Sequence, residues 1–242
     1  MSIVLAVVLL VAPVVALAQT PVERARALIA RYDEDPRRID EARDLLEEAI
    51  TRERPADAVT LLSRIYLLAG EVRATTDDEK LATFGRGRDL GKLAIEIAPR
   101  SEEAHVWYAL NVGRWGQTKG MMRALFLLPT IREEIDTIFA INPRSVRGHA
   151  LAGNVFFELP SMMGGDRKKA EEHFRKGLEA DPHFTVLRID LSRLLIAEKR
   201  VPEARRELER VMSETAPTII ADWTARDRPR ARTLLDELRD RK

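Results

Sequence analysis

Residues 156–174 read Phe-Phe-Glu-Leu-Pro-Ser-Met-Met-Gly-Gly-Asp-Arg-Lys-Lys-Ala-Glu-Glu-His-Phe, two helical flanks around an unusual loop. Before the loop, Val146, Ala150, Gly153 and Phe157 share one face at helical spacing; after it, Ala170, Phe174 and Gly177 do the same. Pro160 cannot continue a helix, Gly164 and Gly165 permit positive φ, and Asp166 suits the N-cap of the second helix. Met162 and Met163 stand where an ordinary linker would be polar. The unit is a helical hairpin with an apolar loop.

The second half of that hairpin has counterparts along the chain. A small or apolar residue, three residues, an apolar one, two residues and another small or apolar one recur, with proline shortly after. The instances are Ala42/Leu46/Ala49/Pro55, Gly87/Gly91/Ala94/Pro99, Ile131/Ile135/Ile138/Pro143, Ala170/Phe174/Gly177/Pro182 and Ala204/Leu208/Val211/Pro217. Small residues let antiparallel helices approach, and proline forces the turn to the next pair. Gly87 and Gly91 each cost roughly 1 kcal/mol inside a helix, so a close helix contact is expected there. The frame resembles the second helix of a tetratricopeptide repeat (TPR). An all-α fold follows, a TPR-like α-solenoid of helical hairpins curled around a cavity or pore. Against the repeat frame the Leu159–Gly165 loop is an insertion of about five residues, expected to rim the functional opening.

Further helices are expected over 21–32 and 37–51, from Pro55 onward, and from a cap at Asp77 or Asp78 to Ile97. Ser101 opens another, a break spans Gly113 to Gly120, and Met121–Leu128 precedes a helix that begins after Pro129. Residues 185–198, 202–214 and 219–239 complete the set, and no segment reads as a strand.

The chain opens on an apolar run from Ile3 to Ala18, ending Ala16-Leu17-Ala18 in the small-residue pattern of a signal-peptidase site. Residues 1–18 are expected to be a cleaved signal peptide and 19–242 a single domain, periplasmic or secreted. No Lys or Arg precedes the run, and an uncleaved N-terminal membrane anchor is the alternative. Lys plus Arg number 40 against 39 for Asp plus Glu, so no strong field draws nucleic acid. Without cysteine there is no disulfide, thiolate metal site or cysteine nucleophile.

Catalytic patterns fail in detail. His105, His149, His173 and His183 lack ligand spacing and read as isolated surface or capping groups, so no metal is expected. The run Gly85-Arg-Gly87-Arg-Asp-Leu-Gly91-Lys92 has three residues between its last two glycines, and Leu93 where a phosphate loop needs Ser or Thr. The carboxylates alternate with Arg and Lys as solvated helix faces. Arg226, Arg228, Arg230 and Arg232 read as a salt-laced face of the last helix. The expectation is a non-enzyme with no cofactor.

Apolar residues outside the frame form two groups, Trp107, Tyr108, Trp115, Met121, Met122 and Phe126 in one and Phe157, Leu159, Pro160, Met162, Met163, Gly164 and Gly165 in the other. They are core, or they are the surface on which a partner or ligand repacks, since methionine adapts to variable apolar shapes.

Trp107-Tyr108, Gly113-Arg-Trp115-Gly116 and Leu159-Pro160…Gly164-Gly165-Asp166…Lys169-Ala170 resemble the T component of tripartite ATP-independent periplasmic (TRAP) transporters. The regulator of microtubule dynamics proteins are similar, more distantly, in the same helices. The resemblance covers roughly residues 40–215. It implies a trimer, docking of a periplasmic solute-binding receptor, and capture of an apolar ligand. A general scaffold binding peptides or proteins in the cell envelope is the alternative.

Overall fold

A computed structural model describes residues 19–240, so the signal-peptide or anchor reading of residues 1–18 lies outside the described residues. The helices are α1 (Pro21–Ile29), α2 (Arg37–Arg52), α3 (Ala56–Val72), α4 (Asp77–Ile97), α5 (Glu102–Lys119), α6 (Met121–Ile141), α7 (Val146–Glu158), α8 (Arg167–Ala180), α9 (Thr185–Ala197) and α10 (Val201–Met212). A single-turn α11 (Ile220–Asp222), a π-helical turn (Trp223–Asp227) and α12 (Arg228–Asp240) follow, and no strand occurs among the described residues. The all-α helical-repeat fold stands.

Local chemistry sets the starts. Thr76, rather than Asp77 or Asp78, caps α4, accepting from the Glu79 N–H while the Glu79 carboxylate accepts from the Thr76 N–H. Ser101, Ser145 and Asp166 cap α5, α7 and α8. The five proline-ended frames fall on α2, α4, α6, α8 and α10, the second helix of each hairpin. First helices touch one another from hairpin to hairpin (α1–α3, α3–α5, α5–α7, α7–α9), which puts them on the inner side of the curve.

The glycine inference holds at Gly91, where a Cβ would lie 2.8 Å from Tyr108 Cα. The same physics overturns the expected break at Gly113–Gly120. Gly116 is where α6 crosses closest, a Cβ there meeting Leu127 Cδ1 at 2.9 Å, and α5 runs on to Lys119. Pro129 likewise does not open a helix but sits exposed inside α6. Packing on both sides of it, Leu127 toward α5 and Ile131, Ile135 and Ile138 into the core, overrides the lost backbone bond.

Candidate functional site

Side chains from three first helices, with Phe184 at the entry to a fourth, line up on the inner face. The Arg64 guanidinium from α3 lies 5.3 Å from the Trp107 ring centroid on α5. Arg147 from α7 lies 5.1 Å from the same ring and 5.4 Å from Phe184, at the entry to α9. Burial, joined by the charge of Arg147, lowers the pKa of Arg64, while Asp222 and Glu103 pull the other way.

The C-terminal segment crosses this face. Tyr32 donates to Asp222 Oδ1 at 2.8 Å, and Ala221 is buried in the same cluster as Ala25 and Ile29. Arg226 and Arg114 both pair with Glu71 on α3 at 2.7 Å. Thr185 donates to Asp227 Oδ2 at 2.6 Å, and Asn154 donates to Asp190 at 2.8 Å. Burial pushes the Asp227 carboxyl up to about 6. These contacts tie the C-terminal segment to Tyr32, just after α1, and to the start of α9. One expectation changes here: Arg226 pairs across the molecule with Glu71, not along its own helix.

Five of the exposed large apolar residues lie elsewhere, on the edge formed by two hairpin turns; the other two, Ile97 and Ile220, stand at the end of α4 and the start of α11. Met121 (79%), Met122 (68%) and Phe126 (73%) stand out from the first half of α6, and Met162 (87%) and Met163 (41%) from the single 3₁₀ turn of the α7–α8 loop. Arg132, about three turns into α6, donates to the Met163 carbonyl, so the first turns of α6 overhang the shorter α7–α8 hairpin. The loop is tightly built. A Cβ on Gly165 would lie 1.8 Å from the Leu159 carbonyl oxygen, and the Asp166 N–H donates to the Phe156 carbonyl. Pro160 and Gly164 are exposed, whereas Leu159 and Gly165 are partly buried.

The thirteen candidate residues are therefore not one surface. Trp107 is buried on the inner face, and Tyr108, partly buried, packs on Gly91 of α4. Trp115 is ringed by Arg88, Arg123 and Lys119. Phe157 lies under Arg193.

The histidines are not all isolated. His149 and His173 meet Nδ1 to Nδ1 at 3.0 Å, with Phe139 beside both rings and Phe156 against His173. Their separation of 24 residues hides the pair in a search for i, i+4 spacing. Burial, with the charges of His173 and Lys176, holds the His149 pKa down near 4, and burial also lowers that of His173. The unfolded chain therefore takes up protons first as pH falls through 6.5, and stability drops until His149 titrates near 4. Between pH 7.5 and 4.5 the wild type is expected to lose about 1 kcal/mol more than H149Q/H173Q, a figure discounted for solvent screening. Parallel urea-midpoint curves for the two proteins would refute this.

The family model for regulator of microtubule dynamics protein 1-3 matches residues 22–176. The chain belongs to that family. A tetratricopeptide repeat model matches residues 162–226. Regulator of microtubule dynamics protein 3 of Rattus norvegicus is 23% identical over 124 residues, 51% of this chain and 26% of that protein. Protein 1 of Mus musculus is 23% identical over 184 residues, 64% of this chain and 60% of its own length. The chain thus spans about a quarter to three fifths of these relatives. A thermophilic TPR protein of Thermus thermophilus superposes with a TM-score of 0.65 at 18% identity, covering 87% of this chain and 98% of that one, a likeness of fold alone. Of the two families suggested by the motifs, the one read as more distant is the one shown.

Proposed function

We propose that this protein is a non-catalytic TPR-like scaffold that docks a protein partner on the hairpin edge carrying Met121, Met122, Phe126, Met162 and Met163. The observation that carries the reading is their joint exposure, in a chain that buries most of its other large apolar side chains. Burying a side chain of this size contributes about 2 kcal/mol, and the methionines adapt to the partner's shape. The narrower reading makes the partner a periplasmic solute receptor, with an apolar ligand passing between the two. It rests on the Leu159-Pro160…Gly164-Gly165-Asp166 loop and on residues 1–18 acting as a leader. A general scaffold for envelope proteins is the broader form of the same idea.

Proteins crosslinked to the wild type in native extract are expected to drop at least tenfold in recovery with M122S/F126S and with M162S/M163S, a loss of over 1.4 kcal/mol. Sedimentation will show whether a second copy is the partner. The same proteins recovered equally with both variants would sink the reading, as would unchanged binding of a purified solute receptor for its narrower form.

A further inference from the structure

The first turns of α6 form a wall above the α7–α8 loop. Met121, Leu125, Leu128 and Arg132 follow one another at i, i+4, i+7 and i+11, one stripe of the helix. Arg132 fixes the direction of that stripe, since its guanidinium donates to the Met163 carbonyl. The stripe therefore faces the loop, with Met162 and Met163 exposed on the floor beneath it. Leu125 and Leu128 are only partly buried and, unlike Leu127, join none of the three core clusters among the described residues. The rise from Met121 to Arg132 is about 16 Å, and the arginine side chain spans part of it. What remains is a step about as high as one helix is thick, roughly 10 Å. Met122 and Phe126 stand about 100° to 140° farther round α6, outside the step.

The charges around the step are mostly of one sign. Residues 104–132 contain no Asp or Glu. Lys119 and Arg123, at the top of the wall, lie against the Trp115 ring. Arg167 donates to the Ala197 carbonyl, and Lys168 follows it in the first turn of α8. Among the described residues Lys119, Arg123, Arg132, Arg167 and Lys168 pair with no carboxylate. Of the neighbouring carboxylates, Glu158 pairs with Arg193 and Asp166 caps α8, which leaves Glu133.

Taking this edge as the docking surface, the reading on which the inference rests, we propose that the step holds an acidic amphipathic helix of a partner protein. Its apolar stripe lies against Met121, Leu125, Leu128, Met162 and Met163, and its carboxylates face the cations around them. A helix seated in a groove needs apolar anchors at helical spacing, and methionines repack around those anchors. Two copies of this edge would set cations against cations, so a second copy suits it poorly. A flat bilayer resting on Met121 would stand about one helix thickness above Met162 and Met163 and leave them uncovered.

Fluorescence anisotropy of the full chain with an N-terminally labelled (Leu-Glu-Glu-Leu-Ala-Glu-Ala)₃ peptide tests this. Binding is expected to weaken at least tenfold in M121S/L125S and in M162S/M163S, and to stay within twofold in M122S/F126S. R167E/K168E, whose carboxylates suit the first turn of a helix, should weaken it several-fold. A peptide with lysine in place of glutamate, or with its leucines spread around the helix, should not bind. Circular dichroism and melting check each variant's fold; M162S/M163S, at exposed loop positions, carries the test if M121S/L125S does not fold. No binding of the acidic peptide to the wild type, or equal binding by M162S/M163S, overturns the proposal. If extract proteins are nevertheless lost with M162S/M163S, the docking edge stands and only its acidic helix falls. Displacement of the peptide by vesicles of phosphatidylserine and phosphatidylcholine in equal parts would overturn it too, making the step a membrane contact. So would a wild-type dimer abolished by M162S/M163S, which would give the step to a second copy.

Discussion

Replacing Phe174 by alanine is expected to cost about 4 kcal/mol of folding stability, a large share of what a domain of this size possesses. Phe174 is completely buried in the C-terminal core cluster, on the inward face of α8. Its ring occupies the space that Gly153 of α7 leaves open, where a Cβ would lie 2.4 Å from the ring. The two residues are halves of one contact. Gly153→Ala alone should cost about 2 kcal/mol through overpacking. Combined with Phe174→Leu, which removes the ring, it should cost less than the two single changes added together, as residues sharing one space do. Urea unfolding of the four proteins measures this. Strict additivity would show that ring and glycine do not compete, and that the helix approach is set by something else.

That contact also shows why so much of the fold was legible in the sequence. Ala170, Phe174 and Gly177 are spaced for one helix face, and the proline after them marks the turn. Five repeats of that spacing placed every second helix. The errors arose where a residue's local preference and its packing point in opposite directions. Gly113 and Gly116 read as a break by composition, yet Gly116 does for α6 what Gly91 does for α5. Pro129 reads as a start, yet helical turns on both sides of it are held by neighbours. A single residue does not reveal which of the two influences prevails.

The candidate surfaces were legible only in part. Methionines in a loop stand out by composition, but composition left them as core or surface, and it is the structure that exposes Met162 and Met163. The inner face could not be read the same way, because its contacts join distant residues. Tyr32 and Asp222 are 190 positions apart, and Thr185 and Asp227 are 42 apart. Trp107 stands out as an aromatic residue, but its two cations come from α3 and α7, which periodicity alone does not bring together. The His149–His173 contact is hidden for the same reason.

Glu71→Ala is expected to cost about 3 kcal/mol and to release the C-terminal segment from the inner face. Burial alone would raise the Glu71 pKa, but the guanidinium groups of Arg114 and Arg226 overcome it and hold the carboxyl below its ordinary range. The carboxylate is thus charged at neutral pH and bonded on both oxygens, to Arg114 at Oε1 and Arg226 at Oε2. Removing it leaves two cations in a partly desolvated place, which is more damaging than the loss of an exposed pair. Because the folded pKa is depressed, this contribution is present above the ordinary carboxylate pKa and fades as pH falls through the folded value. Hydrogen exchange should show faster exchange in residues 219–240, in α1, which shares a core cluster with Ala221, and in the turn after it that holds Tyr32, with little change in α5–α6. Glu71→Gln, which loses the charge and replaces one of the two accepting oxygens by an amide NH2 group, should fall between the wild type and the alanine variant. If exchange instead rose evenly along the chain, Glu71 would be a general stabiliser, and the C-terminal segment would be held mainly by the packing of α12 on α10.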